Sequence, residues 1–312
     1  MRLVTLGESL ARLDAAAVGP LRHARSLGLG VAGAESNVAI GFSRLGGEAA
    51  WIGRVGADEF GGLVRATLAG EGVDLAAAVV DPSAPTGLLV KERRTSALTR
   101  VWYYRTGSAG SRLSPEDVPE DLVRTAQTLH VTGITAALSA TARKAVRHAV
   151  ATARAAGVPV SLDLNYRAAL WEPDEAAREL RRLAAEADIV FATEREARLL
   201  VDGEGPAELA GALARLGARE VLVKLGRHGA VACCDGVLHR APGVRVEPVD
   251  PVGAGDAFAA AYLAERLRGV PVGERLAVAA LAGAYVVTAM GDWEGLPSRA
   301  DLEREPGDEV LR

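Results

Sequence analysis

The chain is written in short apolar runs separated by alanine- and arginine-rich stretches, and that rhythm leaves few folds open. The runs are Arg2–Leu6, Ala50–Ile52, Thr128–Thr132, Pro159–Leu164, Asp188–Ala192 and Glu220–Leu225. They are short and nearly continuous in apolar residues rather than alternating, as strands buried on both faces are. Thr141–Ala156 and Asp174–Glu186 are long enough to be the helices that cross over between parallel neighbours. The pattern predicts an α/β fold: a doubly wound, mostly parallel sheet flanked by helices. Two stretches break it, roughly Leu10–Leu29 and Thr86–Arg105, the second with alternating Leu88-Leu89-Val90-Lys91-Glu92 and Arg100-Val101-Trp102-Tyr103-Tyr104-Arg105. Both read as antiparallel strands with hairpin turns, inserted at about 10–29 and 86–105 into one domain of residues 1–312 and forming a small β-sheet lid. There is no internal repeat and no low-complexity linker, and the charged tail Arg299–Arg312 is expected to fray.

Composition excludes several functions. With 36 Lys and Arg against 40 Asp and Glu, the signs interspersed, the net charge of −4 leaves no basic patch for nucleic acid or an anionic membrane. Cys233 and Cys234 are adjacent and the only cysteines, so they make neither a disulfide framework nor a metal site, and a reducing cytoplasm is expected. Met1–Gly7 reads as a first strand rather than a signal peptide. No run of about 18 or more uncharged apolar residues is available to span a membrane.

The chemistry concentrates in Asp250-Pro251-Val252-Gly253-Ala254-Gly255-Asp256-Ala257-Phe258. Gly253 and Gly255 let successive N–H groups turn toward one point, and the apolar run from Ala257 to Leu267 reads as the helix that starts there. Unpaired N–H donors and the helix dipole favour an anion such as a phosphate in front of such a turn. A carboxylate at Asp256 would repel that anion unless it takes a proton from a hydroxyl attacking phosphorus. The spacing alone leaves open that Asp256 is an ordinary N-cap.

Ligands of open α/β sheets sit at the carboxyl ends of the strands, where this chain places Asn165-Tyr166-Arg167, Thr193-Glu194-Arg195-Glu196 and Gly226-Arg227-His228-Gly229. Asp163 interrupts an apolar strand and is expected to accept hydrogen bonds from the loops. Glu196 opens a helix, where it complements the dipole or holds a magnesium-bound water. Gly33-Ala34-Glu35-Ser36-Asn37 leads into a helix, an approach that suits sugar hydroxyls as well as a plain cap. Gly53–Gly62 is another glycine-punctuated turn, read as architecture. Tyr103, Arg105 and Arg167 form a selective cluster, since a buried lid arginine needs an anion to meet it. Two guanidinium groups gripping a carboxylate would make the substrate an acid as well as an alcohol. Each arginine read singly is better explained by the surface, where charged side chains are mostly solvated.

These residues resemble the ribokinase-like, or PfkB, family of carbohydrate kinases from Leu3 to about Pro297, with signatures at Ala50–Gly62 and Val249–Phe258. Within it the chain is most similar to 2-keto-3-deoxygluconate kinases, through Val101–Ser111, Thr132–Ser139 and Ser161–Arg167. The resemblance implies Asp256 as catalytic base and Gly253, Ala254 and Gly255 as a backbone anion hole. It implies a sugar-acid pocket of Gly33, Asn37, Tyr103, Arg105, Ile134, Arg167 and Asp250, the last touching a substrate hydroxyl. Asn165, Thr193, Lys224, Gly226 and Gly229 fall where the nucleotide binds, and Glu196 where magnesium is positioned through water. ATP and Mg2+ are the implied cofactors, with room for a monovalent cation. The expected reaction is phosphorylation of the terminal primary hydroxyl of 2-keto-3-deoxygluconate or its galactonate epimer. A kinase for a neutral sugar such as fructose or ribose, or a sensor without chemistry, are the other readings. Three residues depart from the pattern: Leu89 where similar kinases often place a tyrosine, Thr193 for the usual asparagine, and Ala280 for an asparagine near the adenine. Similar kinases often pair through their lids, and Leu88-Leu89-Val90 with Val101-Trp102 are the expected homo-oligomer face.

Overall fold

The computed structural model describes residues 1–95 and 98–303; positions 96–97, within the second insertion, and 304–312, in the charged tail, lie outside the described residues. The strands are β1 (Arg2–Leu6), β2 (Leu10–Ala15), β3 (Leu27–Ala32), β4 (Glu48–Gly56), β5 (Val73–Asp74), β6 (Ala78–Asp81), β7 (Leu88–Thr95), β8 (Leu98–Tyr104), β9 (Thr128–Thr132), β10 (Val160–Asp163), β11 (Ile189–Thr193), β12 (Glu220–Lys224), β13 (Ala230–Cys234) and β14 (Val237–Ala241). The helices are α1 (Ala34–Arg44), α2 (Glu59–Gly70), α3 (Glu120–Arg124), α4 (Gly133–Leu138), α5 (Ala140–Ala155), α6 (Pro173–Glu186), α7 (Glu194–Leu200), α8 (Pro206–Ala214), α9 (Ala254–Leu267), α10 (Val272–Val286) and α11 (Arg299–Leu302).

Ten strands form the main sheet in the order β14-β13-β12-β11-β10-β9-β1-β4-β5, with β6 also on β4. From β12 to β5 every pairing is parallel, as the continuous apolar runs require. Successive side chains along a strand enter opposite cores. Ile189 and Phe191 join Trp51, Phe42 and Tyr262 on one face, while Val190 and Ala192 join Leu129, Leu162 and Leu180 on the other. The edge hairpin β13–β14 is antiparallel and was not among the expected strands. The chain adds β4 on one side of β1 and later β9 on the other. That reversal opens a crevice beyond the carboxyl end of β1, where ligands of such sheets bind.

The two insertions form a separate sheet in the order β3-β2-β7-β8. β2–β3 and β7–β8 are antiparallel as expected, but the insertions meet through a parallel β2–β7 pair. The register sorts their side chains. Leu29, Leu13, Val90 and Trp102 lie in one cross-strand row. Arg12, Leu89 and Tyr103 lie in another, on the opposite face. The expected Leu88-Leu89-Val90 patch is therefore divided: Leu89 packs with Leu10, Ala32 and Val101. Alternation along a strand sends neighbours to opposite faces.

Candidate active site

The anion turn is built on a glycine that nothing else could replace. Gly253 caps α9 with φ 84°, and an added Cβ would come within 1.8 Å of the Asp292 carbonyl oxygen. Neither Gly253 nor the first helical residues Ala254 and Gly255 has a protein acceptor for its N–H among the described residues. Three donors at a helix N-terminus thus remain free for an anion. Asp256 sits in the first turn, and the cap is Gly253.

What places Asp256 is the crossing of α9 over α1. Gly41 lies so close to Ala260 that a Cβ on it would stand 2.8 Å from the alanine Cβ. One helical turn earlier on each helix are Asn37 and Asp256. The close approach brings the Asn37 Nδ2 to 2.8 Å from the Asp256 Oδ2, which accepts its hydrogen bond. Phe191 meets Phe258 and Tyr262 edge-on at 6.2 and 5.8 Å and fixes α9 from beneath. Crowding by protein disfavours the charged carboxylate and pushes the Asp256 pKa up to about 7, helped by nearby Asp163 and opposed by the Asn37 bond, Lys224 and Arg167. A carboxylate poised there suits proton transfer near neutral pH.

A second charged group lies below the turn. Lys224, at the end of β12, donates to Asp163 Oδ2 at 2.6 Å, and its Nζ would lie 3.2 Å from a Cβ on Gly255. Burial works against the ammonium, but Asp163, Glu196 and Asp256 together hold its pKa above the ordinary value. Asp163 also accepts the N–H of Asn165 at 3.2 Å, the loop contact expected of it. Asn165 has φ 38°, an uncommon backbone for any residue but glycine and one that asparagine tolerates. Glu196 forms a capping box with Thr193 and accepts the Tyr166 N–H at 3.0 Å. Both its oxygens are thereby oriented by protein donors. Gly226 and Gly229, with φ 56° and 89°, shape the turn after β12.

Around the sugar side two of the expected substrate contacts already have protein partners. Arg105 does meet an anion, but it is Glu8, just past β1: Nη2 and Nε lie 2.5 and 2.7 Å from Glu8 Oε2. Glu8 is fully buried, also accepts the Ser108 hydroxyl, and leaves only the Arg105 Nη1 without a protein partner among the described residues. The Arg105 guanidinium also lies 5.4 Å from the Tyr103 ring centre. Asp250 is buried against Lys91 of β7 at 3.1 Å, and its other oxygen accepts the Val252 N–H. Arg167 is exposed, yet close enough to Asp256 to favour its charged form. Ile134, at the start of α4, is capped by Thr132, whose hydroxyl also donates to the buried Glu35 at 2.6 Å. Gly33 has no room for a side chain, since a Cβ would lie 2.7 Å from the Glu8 carbonyl. Glu8, Glu35 and Lys91 were missed in the sequence. The strand-end rule, applied to β1, points directly at Glu8.

A sequence model described as pfkB family carbohydrate kinase matches residues 1–299. The chain belongs to the PfkB family of carbohydrate kinases. This kinase is 38% identical to the 2-dehydro-3-deoxygluconokinase of Thermoproteus tenax over 96% of its own length and 93% of that protein's. It is 36% identical to a fructokinase of Klebsiella pneumoniae, over 87% and 90%. Among solved structures it is similar to a ribokinase II candidate from Escherichia coli in complex with ATP and Mg2+, at 29% identity, 97% of each chain and a TM-score of 0.91. The kinase is a phosphotransferase with the ribokinase-like fold. Among the described residues no helix is long and apolar enough to cross a membrane.

Proposed function

We propose that this kinase, one domain with an inserted lid, transfers the γ-phosphoryl group of ATP to the terminal primary hydroxyl of 2-keto-3-deoxygluconate. The observation that carries the reaction is Asp256, a proton acceptor poised near neutrality beside three free N–H donors. The hydroxyl proton passes to Asp256, its oxygen bonds to the γ-phosphorus, and the bond to the β,γ-bridging oxygen breaks as ADP leaves. The Gly253–Gly255 N–H groups stabilise charge on the transferred group, and Lys224 adds a positive charge beneath it. Magnesium would neutralise phosphate charge when bound. Among the described residues no three His, Cys, Asp or Glu side chains converge on one point, which fits an ion held mainly by phosphates and water. Glu196, its oxygens already oriented, would accept a hydrogen bond from such a water.

For the substrate, the free Nη1 of Arg105, the exposed Arg167 and Tyr103 supply donors for a sugar carboxylate, in line with the relatedness to a 2-dehydro-3-deoxygluconokinase. One observation favours a second reading. Glu8 already neutralises Arg105, so a neutral sugar is also compatible, as the fructokinase relative illustrates. An ADP-release assay over 2-keto-3-deoxygluconate, its galactonate epimer, fructose and ribose separates them. The acid should have the highest kcat/KM, falling about 100-fold in Arg105→Ala/Arg167→Ala. A higher kcat/KM on a neutral sugar, unchanged in that variant, would overturn the acid reading.

The lid also serves to pair two copies of the chain. Its outer row exposes Leu29 at 57% and Trp102 at 49% on the two edge strands, beside Leu27 and Tyr104, apolar side chains that another lid would cover. The buried, unpaired Cys233 and Cys234 fit a cytoplasmic enzyme, where ATP is supplied.

A further inference from the structure

The small sheet sends one side chain past the sugar side to the supports of the anion turn. Lys91, on the inward face of β7, is almost fully buried and lies 3.1 Å from Asp250 Oδ2 while also donating to Asp292 Oδ1. Both carboxylates belong to the turn's foundations. Asp250 receives the N–H of Val252, the residue before Gly253. Asp292 packs its own carbonyl oxygen onto Gly253, where a Cβ would come within 1.8 Å. One ammonium therefore ties together the two segments that set the direction of the Gly253–Gly255 donors.

The surrounding charges offer no substitute. Arg12 reaches Asp292 only at 3.5 Å and is otherwise engaged by Asp14 at 2.7 Å and Glu294 at 2.5 Å. The cluster holds Lys91 and Arg12 against Asp14, Asp250, Asp292 and Glu294, so loss of Lys91 leaves it further from neutrality. Although burial opposes the charge, Asp292 and Asp250 hold the Lys91 pKa above its ordinary value.

We propose that Lys91 is a positioning residue for phosphoryl transfer: its ammonium, carried by the lid, sets Asp250 and the Gly253–Gly255 turn in their reactive geometry. The inference rests on the phosphotransferase activity alone and holds whichever sugar is the acceptor. It is tested on the full chain with the sugar that turns over best. Lys91→Ala should lower kcat about 100-fold, the cost of misplacing reacting groups by about an ångström, with the KM for ATP within about threefold. Ammonium or methylammonium chloride should then restore at least about tenfold, because a small cation can enter the vacated space between two carboxylates. Tetramethylammonium chloride at equal ionic strength should not. Lys91→Met, which fills the space without charge, should be as slow and not rescued. A Lys91→Ala kcat within about threefold of the parent, or equal rescue by tetramethylammonium, would overturn the proposal. Should Lys91→Ala fail to fold in circular dichroism, Lys91→Met/Asp292→Asn removes one charge of each sign. That variant is expected to fold and remain slow, and the parent rate in it would equally overturn the proposal.

Discussion

The main sheet buries both faces, with Ile189 and Phe191 feeding one core and Val190 and Ala192 the other, whereas the lid leaves Leu29 and Trp102 exposed on its two edge strands. Their attachments differ as well. The main sheet is fixed by apolar burial, which is non-directional and roughly proportional to the area removed from water. The lid's inward face meets the rest of the molecule through Lys91, Arg12 and Arg105, each paired with carboxylates at defined distances. The difference teaches that the anion turn has a rigid support and a conditional one. Phe191 holds α9 from the sheet, while Lys91 reaches the same turn from the lid.

The sharpest test of the rigid side is Asp256→Asn, expected to lower kcat about 1,000-fold with nucleotide binding kept, because the amide cannot take the proton. In the parent, kcat/KM should rise with pH through about 7 as Asp256 loses its proton. His130 will not confuse that profile, since burial lowers its pKa to about 3 and keeps it neutral throughout. Near-normal turnover in Asp256→Asn would remove the assignment. Next in size, Phe191→Ala should cost about 3–5 kcal/mol in denaturant unfolding, whereas Leu89→Ala, in the lid's small cluster, should cost about 2. Equal costs would break the contrast between the two sheets. Trp102→Ser should shift the chain toward monomer in sedimentation while moving Tm by less than about 2 °C, because a half-exposed side chain contributes little to folding. An unchanged sedimentation coefficient would leave the outward row without its partner. The smallest effect is on stability. Asp256 has a folded pKa raised above its ordinary value, so the fold binds its proton more tightly and loses stability as pH rises toward about 7. Asp256→Asn should therefore melt higher than the parent at pH 8, with the gain absent below the ordinary carboxylate range.

How much of this was legible depended on range. β1 and β9 have the bounds expected from Arg2–Leu6 and Thr128–Thr132, and Ala50–Ile52 is the middle of β4, because buried strands announce themselves in local composition. β14 escaped because Val237–Ala241 is mostly exposed and carries no such run, whereas β13, Ala230–Cys234, is a fully buried apolar run that was overlooked. At the site, Gly253, Asp256 and Asn37 stood out because glycine turns and helix starts are local signals. The ion pairs did not. Glu8 and Arg105 are far apart in sequence, as are Lys91 and Asp250, and no periodicity links them. The sequence asked for an anion to meet Arg105, but it could not show that a residue as distant as Glu8 supplies one.

The placement of the four tryptophans turns the contrast between the sheets into an optical one. Trp51 is fully buried in the main core, Trp171 is buried with Arg143 over its ring, and Trp293 is partly covered with its Nε1 donating to Val31. Trp102 alone among them sits half in water, and it sits on the lid. Its emission should lie to the red of the others and respond to quenchers first. With Trp51, Trp171 and Trp293 changed to phenylalanine, the remaining fluorescence would come from the lid alone, a signal written into the chain for watching that sheet move or pair.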